Sequence, residues 1–213
     1  MTDRTQGTVF TEYGSFYLVP GEDRPRSWAQ SLTTGLVSAR GEDVRISTGT
    51  QTGEVPLATE TLDREPPLEP GWEDVAEVSV AAPSGRLRVL ESRHPFLFGD
   101  LAAFGPGDYR VRVHANRRGD ERAGRGGGDS YLLQVWPAPW AEEKLVRLCE
   151  ESRRGLESAM RFAREPLPDV PRPPRGDPRP EPRPVPAPGG RRVAYLEGAL
   201  PEPTTPPADN GRQ

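Results

Sequence analysis

Gly107-Asp108-Tyr109-Arg110-Val111-Arg112-Val113-His114 is the stretch on which the reading of the fold turns. Apolar and polar residues alternate without a break, the period-2 signature of a half-buried strand. Tyr109, Val111 and Val113 are expected to face a core. Arg110, Arg112 and His114 are expected to face water, so that Arg112→Asp should be nearly neutral where Val111→Asp is not.

The same pattern extends in both directions. Ser130–Trp136 places Tyr131, Leu133 and Val135 on one face, and Val75–Val80 places Ala76, Val78 and Val80 on one face. Leu87 and Val89 continue it after a turn at Pro83-Ser84-Gly85. Earlier strands are read at Ser15–Val19, Gly35–Ser38, Asp43–Ser47 and Gly53–Thr59. Pro56 cannot donate to a ladder, which puts the last of these on an edge. About eight short strands separated by turn residues, with no helices between them, predict a mainly β, antiparallel sandwich over residues 1–137.

Pro137 and Pro139 end the strands. Over residues 138–164, Leu145, Cys149, Leu156 and Met160 recur at helical spacing and predict one flanking amphipathic helix. From 165 to 213 the chain holds 15 of its 26 prolines and little that could form a core. A disordered Pro/Arg-rich tail is expected there. Its apolar island, Val193, Tyr195 and Leu196, is a candidate short binding motif.

Charge and cysteine content narrow the function. The net charge of −4 argues against direct nucleic-acid binding, which needs clustered lysine and arginine. The single cysteine, Cys149, excludes an internal disulfide, and no apolar run approaches a membrane span. A cytoplasmic bacterial protein without membrane contact is expected. Lys144 is the only lysine among 28 basic residues, the arginine preference of a GC-rich genome.

No catalytic site, metal site or cofactor is expected. The histidines are His94, before a proline, and His114, on a strand. Neither is spaced to pair with Cys149 as base and nucleophile. Nucleophile-elbow, phosphate-loop and zinc spacings are absent. The four tryptophans Trp28, Trp72, Trp136 and Trp140 read as core or core-rim residues. Arg175-Gly176-Asp177 reads as coincidence.

The segment from Glu54 to Glu77 carries eight acids against Arg64 alone, a charge of 1 − 8 = −7. It is the candidate surface for a basic protein partner. Glu69, Trp72, Glu73, Asp74 and Glu77 are the residues expected to meet that partner, with Trp72 as the aromatic anchor.

Four stretches carry a family resemblance: Phe16-Tyr17-Leu18, Gly35-Leu36-Val37, Pro106–Tyr109 and Tyr131-Leu132-Leu133. Over Phe10–Trp136 the chain resembles small bacterial nuclease inhibitors of the competence protein J type, and immunity proteins of similar size. The resemblance implies inhibitor-like binding; taken with the acidic segment, the expected function is a non-enzymatic protein-binding module, an inhibitor or immunity protein for a basic partner such as a nuclease. The alternative is a structural or regulatory adaptor whose Pro-rich tail recruits partners.

Overall fold

The computed structural model describes residues 3–21, 31–90, 98–119 and 128–164. They fall within one compact unit, Met1–Pro166. The tail with Val193, Tyr195 and Leu196, together with Trp28 and His94, lies outside the described residues.

Ten strands and one helix follow in order: β1 Asp3–Glu12, β2 Ser15–Val19, β3 Val37–Arg40, β4 Asp43–Ser47, β5 Thr52–Thr61, β6 Asp74–Ala82, β7 Arg88–Leu90, β8 Gly107–Asn116, β9 Ser130–Pro137, β10 Lys144–Arg147 and α1 Glu150–Arg164. They form one sheet in the order β10-β6-β8-β9-β5-β1-β2-β4-β3, with β7 paired to the end of β2. β1 and β2 share only the pair Glu12↔Ser15, so the sheet turns a corner there. It curls until β3 comes within 8 Å of β6, Cα to Cα, without a ladder between them. A single apolar cluster fills the curl, drawing Val9, Leu18, Val37, Ile46, Leu57, Val78, Val111 and Leu133 from eight different strands.

This is a mixed, half-barrel sheet rather than an antiparallel sandwich. The departure is the β5–β9 pair, which is parallel from Leu57↔Tyr131 to Thr61↔Val135. β6 and β9 both run antiparallel to β8, so β5, β6 and β9 all point the same way. The chain leaving β5 must therefore travel back along the sheet before it can begin β6. Parallel strands need a crossover of a dozen or so residues. Residues 62–73, rich in proline and glutamate, supply it.

Three local expectations change as well. β1 has little alternation and places Val9 alone in the apolar cluster, yet it pairs with β5 over its whole length. β5 is thus internal, and Pro56 fits because pairing with β9 begins only at Leu57. The expected helix over 138–164 is a strand and then a helix. Leu145 pairs with Ala76 on the β6 edge, and α1 begins at Glu150. Its start is set by Asp74, whose carboxylate accepts the Cys149 N–H (2.8 Å) and the Ser152 hydroxyl (2.6 Å). Among the described residues no helix is long and apolar enough to cross a membrane.

Candidate functional site

Tyr109, Val111 and Val113 lie in the core, as the alternation requires. The opposite face of β8 is not wet. Arg110 is 6% exposed, Arg112 3% and His114 fully buried. The crossover from β5 to β6 covers one part of this face, and the segment after β9 covers another.

Glu77 on β6 is the centre of the covered layer. Its carboxylate accepts the Nε of Arg110 at 3.2 Å and the Nε of Arg112 at 2.7 Å. Burial acts to raise its pKa, but the hydrogen bonds and charges of Arg112 and Arg110 outweigh burial and lower it. Arg112 reaches outward to the crossover, donating to Pro66 O at 2.9 Å and to Glu65 Oε1 at 2.7 Å. Its guanidinium lies 5.0 Å from the Trp136 ring centroid. Arg110 donates to Ser79 Oγ (3.1 Å) and Ala141 O (3.0 Å), fixing the segment after β9. Gln134 on β9 donates to Glu60 at 2.9 Å, and Arg4 bridges Glu60 (3.2 Å) and Glu69 (3.7 Å).

The residues chosen from the acidic segment separate into two groups. Asp74 and Glu77 are buried and hold internal pairs, Asp74 with Arg118 at 2.9 Å and Glu77 with the two arginines above. Glu69, Trp72 and Glu73 lie at or near the surface. Glu69 accepts the Trp72 indole N–H at 3.4 Å, and Glu73 accepts the Arg117 N–H at 2.8 Å. Among the acids from Glu54 to Glu77, Glu60, Glu65, Glu69, Asp74 and Glu77 pair with arginine. Glu54, Asp63 and Glu73 face solvent, and Glu65 stays 65% exposed on its side chain while paired. A groove of about 530 Å³ runs beneath the crossover, lined by Glu60, Asp63, Glu65, Leu68, Glu69 and Gln134.

Sequence reasoning missed Arg110, Arg112, Gln134 and Arg4 as site-forming residues. One signal was available. Arg110 and Arg112 alternate on β8 as Glu77 and Ser79 do on β6, so pairing these two strands sets the arginines against Glu77 and Ser79.

His114 shows how dry the layer is. Its ring lies 5.6 Å from that of Trp72, tilted by 49°. Desolvation first, and then the Arg112 charge, bring its pKa down to about 4. It is neutral at physiological pH and out of reach of any substrate. The fold therefore favours the neutral ring and the unfolded chain binds the proton. Stability should be full above the ordinary pKa of about 6.5 and fall as pH drops towards about 4, losing on the order of 3 kcal/mol. Urea midpoints measured from pH 8 to pH 4 check this, and His114→Gln should flatten the slope between pH 6.5 and 4.5. An unchanged slope in that variant would assign it to carboxylates instead. Among the described residues no group of three potential ligands could hold a metal ion.

No family model and no curated protein matches the chain. Two solved structures do. One is described as crocagin biosynthetic gene J, at 17% identity and a TM-score of 0.42 over 64% of this chain and 98% of that one. The other is ComJ, an inhibitor of the DNA-degrading activity of NucA, from Bacillus subtilis. It aligns at 12% identity and a TM-score of 0.48, over 65% of this chain and 99% of that one. The second is of the nuclease-inhibitor type that the sequence resembles.

Proposed function

We propose that the chain is a non-enzymatic protein-binding module that inhibits a basic partner such as a nuclease. In this reading the crossover and the residues after it form the partner-facing surface. The observation that supports it is the way the crossover is held. It has no regular structure, yet Arg112, Arg4, Gln134 and Asn116 bond it to the sheet along its length. Pro66, Pro67 and Pro70 stiffen it further. A binding loop ordered before it binds loses less entropy on association. The carboxylates of Asp63, Glu65 and Glu73 then meet solvent from fixed positions, with Leu68 and the half-buried Trp72 between them. Such a surface steers a basic partner, and salt screens the steering.

The test is suppression of DNA degradation in a lysate of the source organism. Added protein should slow degradation of duplex DNA at low salt and less at high salt. Asp63→Arg/Glu73→Arg should abolish the effect and cost no more than about 1 kcal/mol of stability, because neither residue is buried and only the Glu73 bond to the Arg117 N–H is lost. Asp74 and Glu77 are unsuitable for reversal, since both hold the fold. If the double reversal suppresses degradation as well as the parent chain, the crossover is only a cover. Recognition by the tail around Tyr195, the adaptor reading, then takes its place.

A further inference from the structure

Arg45 on β4 and Arg118, just past β8, line one polar pocket of about 110 Å³, between the β1–β2 turn and the first turns of α1. In both arginines the Nε–H is buried and has no acceptor among the described residues. The Arg118 side chain is only 9% exposed. Its Nη1 donates to Asp74 at 2.9 Å and its Nη2 to Gly35 O at 2.7 Å. Arg45 Nη1 donates to Ser47 Oγ at 3.0 Å.

A guanidinium keeps its protons, so a buried Nε–H is satisfied only by an acceptor that comes to it. Leaving two such donors unmet is costly. The buried carboxylates nearby are already filled. Asp74 accepts from Cys149, Ser152 and Arg118. Asp129 accepts the Gly49 and Thr50 N–H groups and the hydroxyls of Thr50 and Tyr131. Arg45 is held by a hydroxyl rather than a carboxylate, and, half-buried, its head can turn towards a ligand. Donors are therefore in excess around this pocket. The matching ligand offers acceptors only, carries negative charge and is small.

We propose that this pocket binds a phosphate group. Its oxygens take the Nε–H of Arg45 and the Nε–H of Arg118, and the Ser47 hydroxyl, whose oxygen already accepts from Arg45, turns its proton to the same ion. Charge-assisted bonds of this kind are the strong ones. A carboxylate pairs best with the two-pronged edge of a single guanidinium. The Nη1 and Nη2 of Arg118 are already taken, so what remains is one donor from each of two arginines. Single donors from two directions suit a tetrahedral oxyanion. Glu151 is the opposing feature, since its exposed side chain borders the pocket and its charge weakens anion binding. The site goes beyond the protein-binding reading above and does not rest on it.

Titration of the full chain with sodium phosphate, against sodium chloride of matched ionic strength, tests it. Calorimetry should give a dissociation constant between about 10 µM and 1 mM, the range open to so small a ligand. The Nε–H resonances of Arg45 and Arg118 should shift together along the same titration. Arg45→Met should weaken binding about 10-fold or more, and Glu151→Gln should tighten it about 3-fold. Acetate should bind about 10-fold more weakly than phosphate. No response beyond the chloride control, equal affinity in Arg45→Met, or acetate binding as well as phosphate overturns the assignment. Should Arg45→Met fail to fold, the exposed Glu151→Gln decides, and an affinity that does not rise overturns it. Adenosine monophosphate separates the sources: binding at least as tight as phosphate points to phosphate esters, and exclusion points to the free ion. None of these readouts involves a protein partner. A failed titration leaves the proposed inhibition standing, and failed suppression of DNA degradation leaves the phosphate site standing.

Discussion

Val111→Asp is expected to leave no cooperatively folded protein at 25 °C. Val111 is fully buried at the middle of β8, paired with Val78 on one side and Val135 on the other. All three belong to the one apolar cluster that closes the half-barrel. An aspartate there meets no donor and no cation on the core face. Burying an unpaired carboxylate costs several kcal/mol at least, against a total stability of about 5–15 kcal/mol for a domain. The carboxyl can escape by taking up a proton, so some structure should return at low pH. Val111→Ala separates charge from volume. It should lower stability by about 1–3 kcal/mol and still give a sigmoidal urea transition. Near-ultraviolet circular dichroism and urea melts of the two variants provide the comparison. A folded Val111→Asp at neutral pH would mean that β8 is displaced by one residue and that its faces are exchanged.

The register of β8 was legible because alternation reports on a face that must be dry. The same signal could not say whether the other face was wet. Arg110, Arg112 and His114 are polar, and polar residues in a strand ordinarily mean solvent. Here they mean a second, polar interior roofed by the crossover. What decides between the two is connectivity, and connectivity depends on which strands are neighbours. β1 hid that information. Asp3–Glu12 is mostly polar and carries no period, yet it fills the place beside β5 and leaves β9 to pair on the other side in parallel. Without β1, an antiparallel arrangement was the natural conclusion.

Charge summed along the chain overstates the acidic surface for the same reason. The charge of −7 from Glu54 to Glu77 was read along the chain, where Arg64 was the only base in view. The compensating arginines, Arg4, Arg110, Arg112 and Arg118, come from distant positions and meet the acids only in the folded sheet. On the crossover, Asp63 and Glu73 and the exposed carboxylate of Glu65 remain as surface, with Glu54 exposed on β5.

The second large effect is expected at Arg112, one residue from Val111 and on the face that alternation alone would leave to water. Arg112→Asp removes four interactions together: those with Glu77, Glu65, Pro66 O and the Trp136 ring. It also sets a carboxylate opposite Glu77, its direct partner across the β6–β8 ladder. Removing one member of a buried ion pair costs about 3–5 kcal/mol, because the other is left charged in a dry site. Arg110 still reaches Glu77, so the loss of charge balance is partial for Arg112→Met and severe for Arg112→Asp. The methionine keeps much of the apolar stem over Trp136 and should cost less than the aspartate by a clear margin. The variants should also differ in where they fail. With Pro66 O and Glu65 released, the crossover should lift before the core opens, and water should reach Trp72 and His114. A red shift of tryptophan emission at urea concentrations below the main transition would report that lifting. Raising the pH from 6 to 8 should not restore the aspartate variant, since both facing carboxylates ionise further. An Arg112→Asp chain that melts within about 1 kcal/mol of the parent would show that the crossover does not seal this face. The polar layer, and with it the fixed presentation of Asp63 and Glu73, would then have to be abandoned.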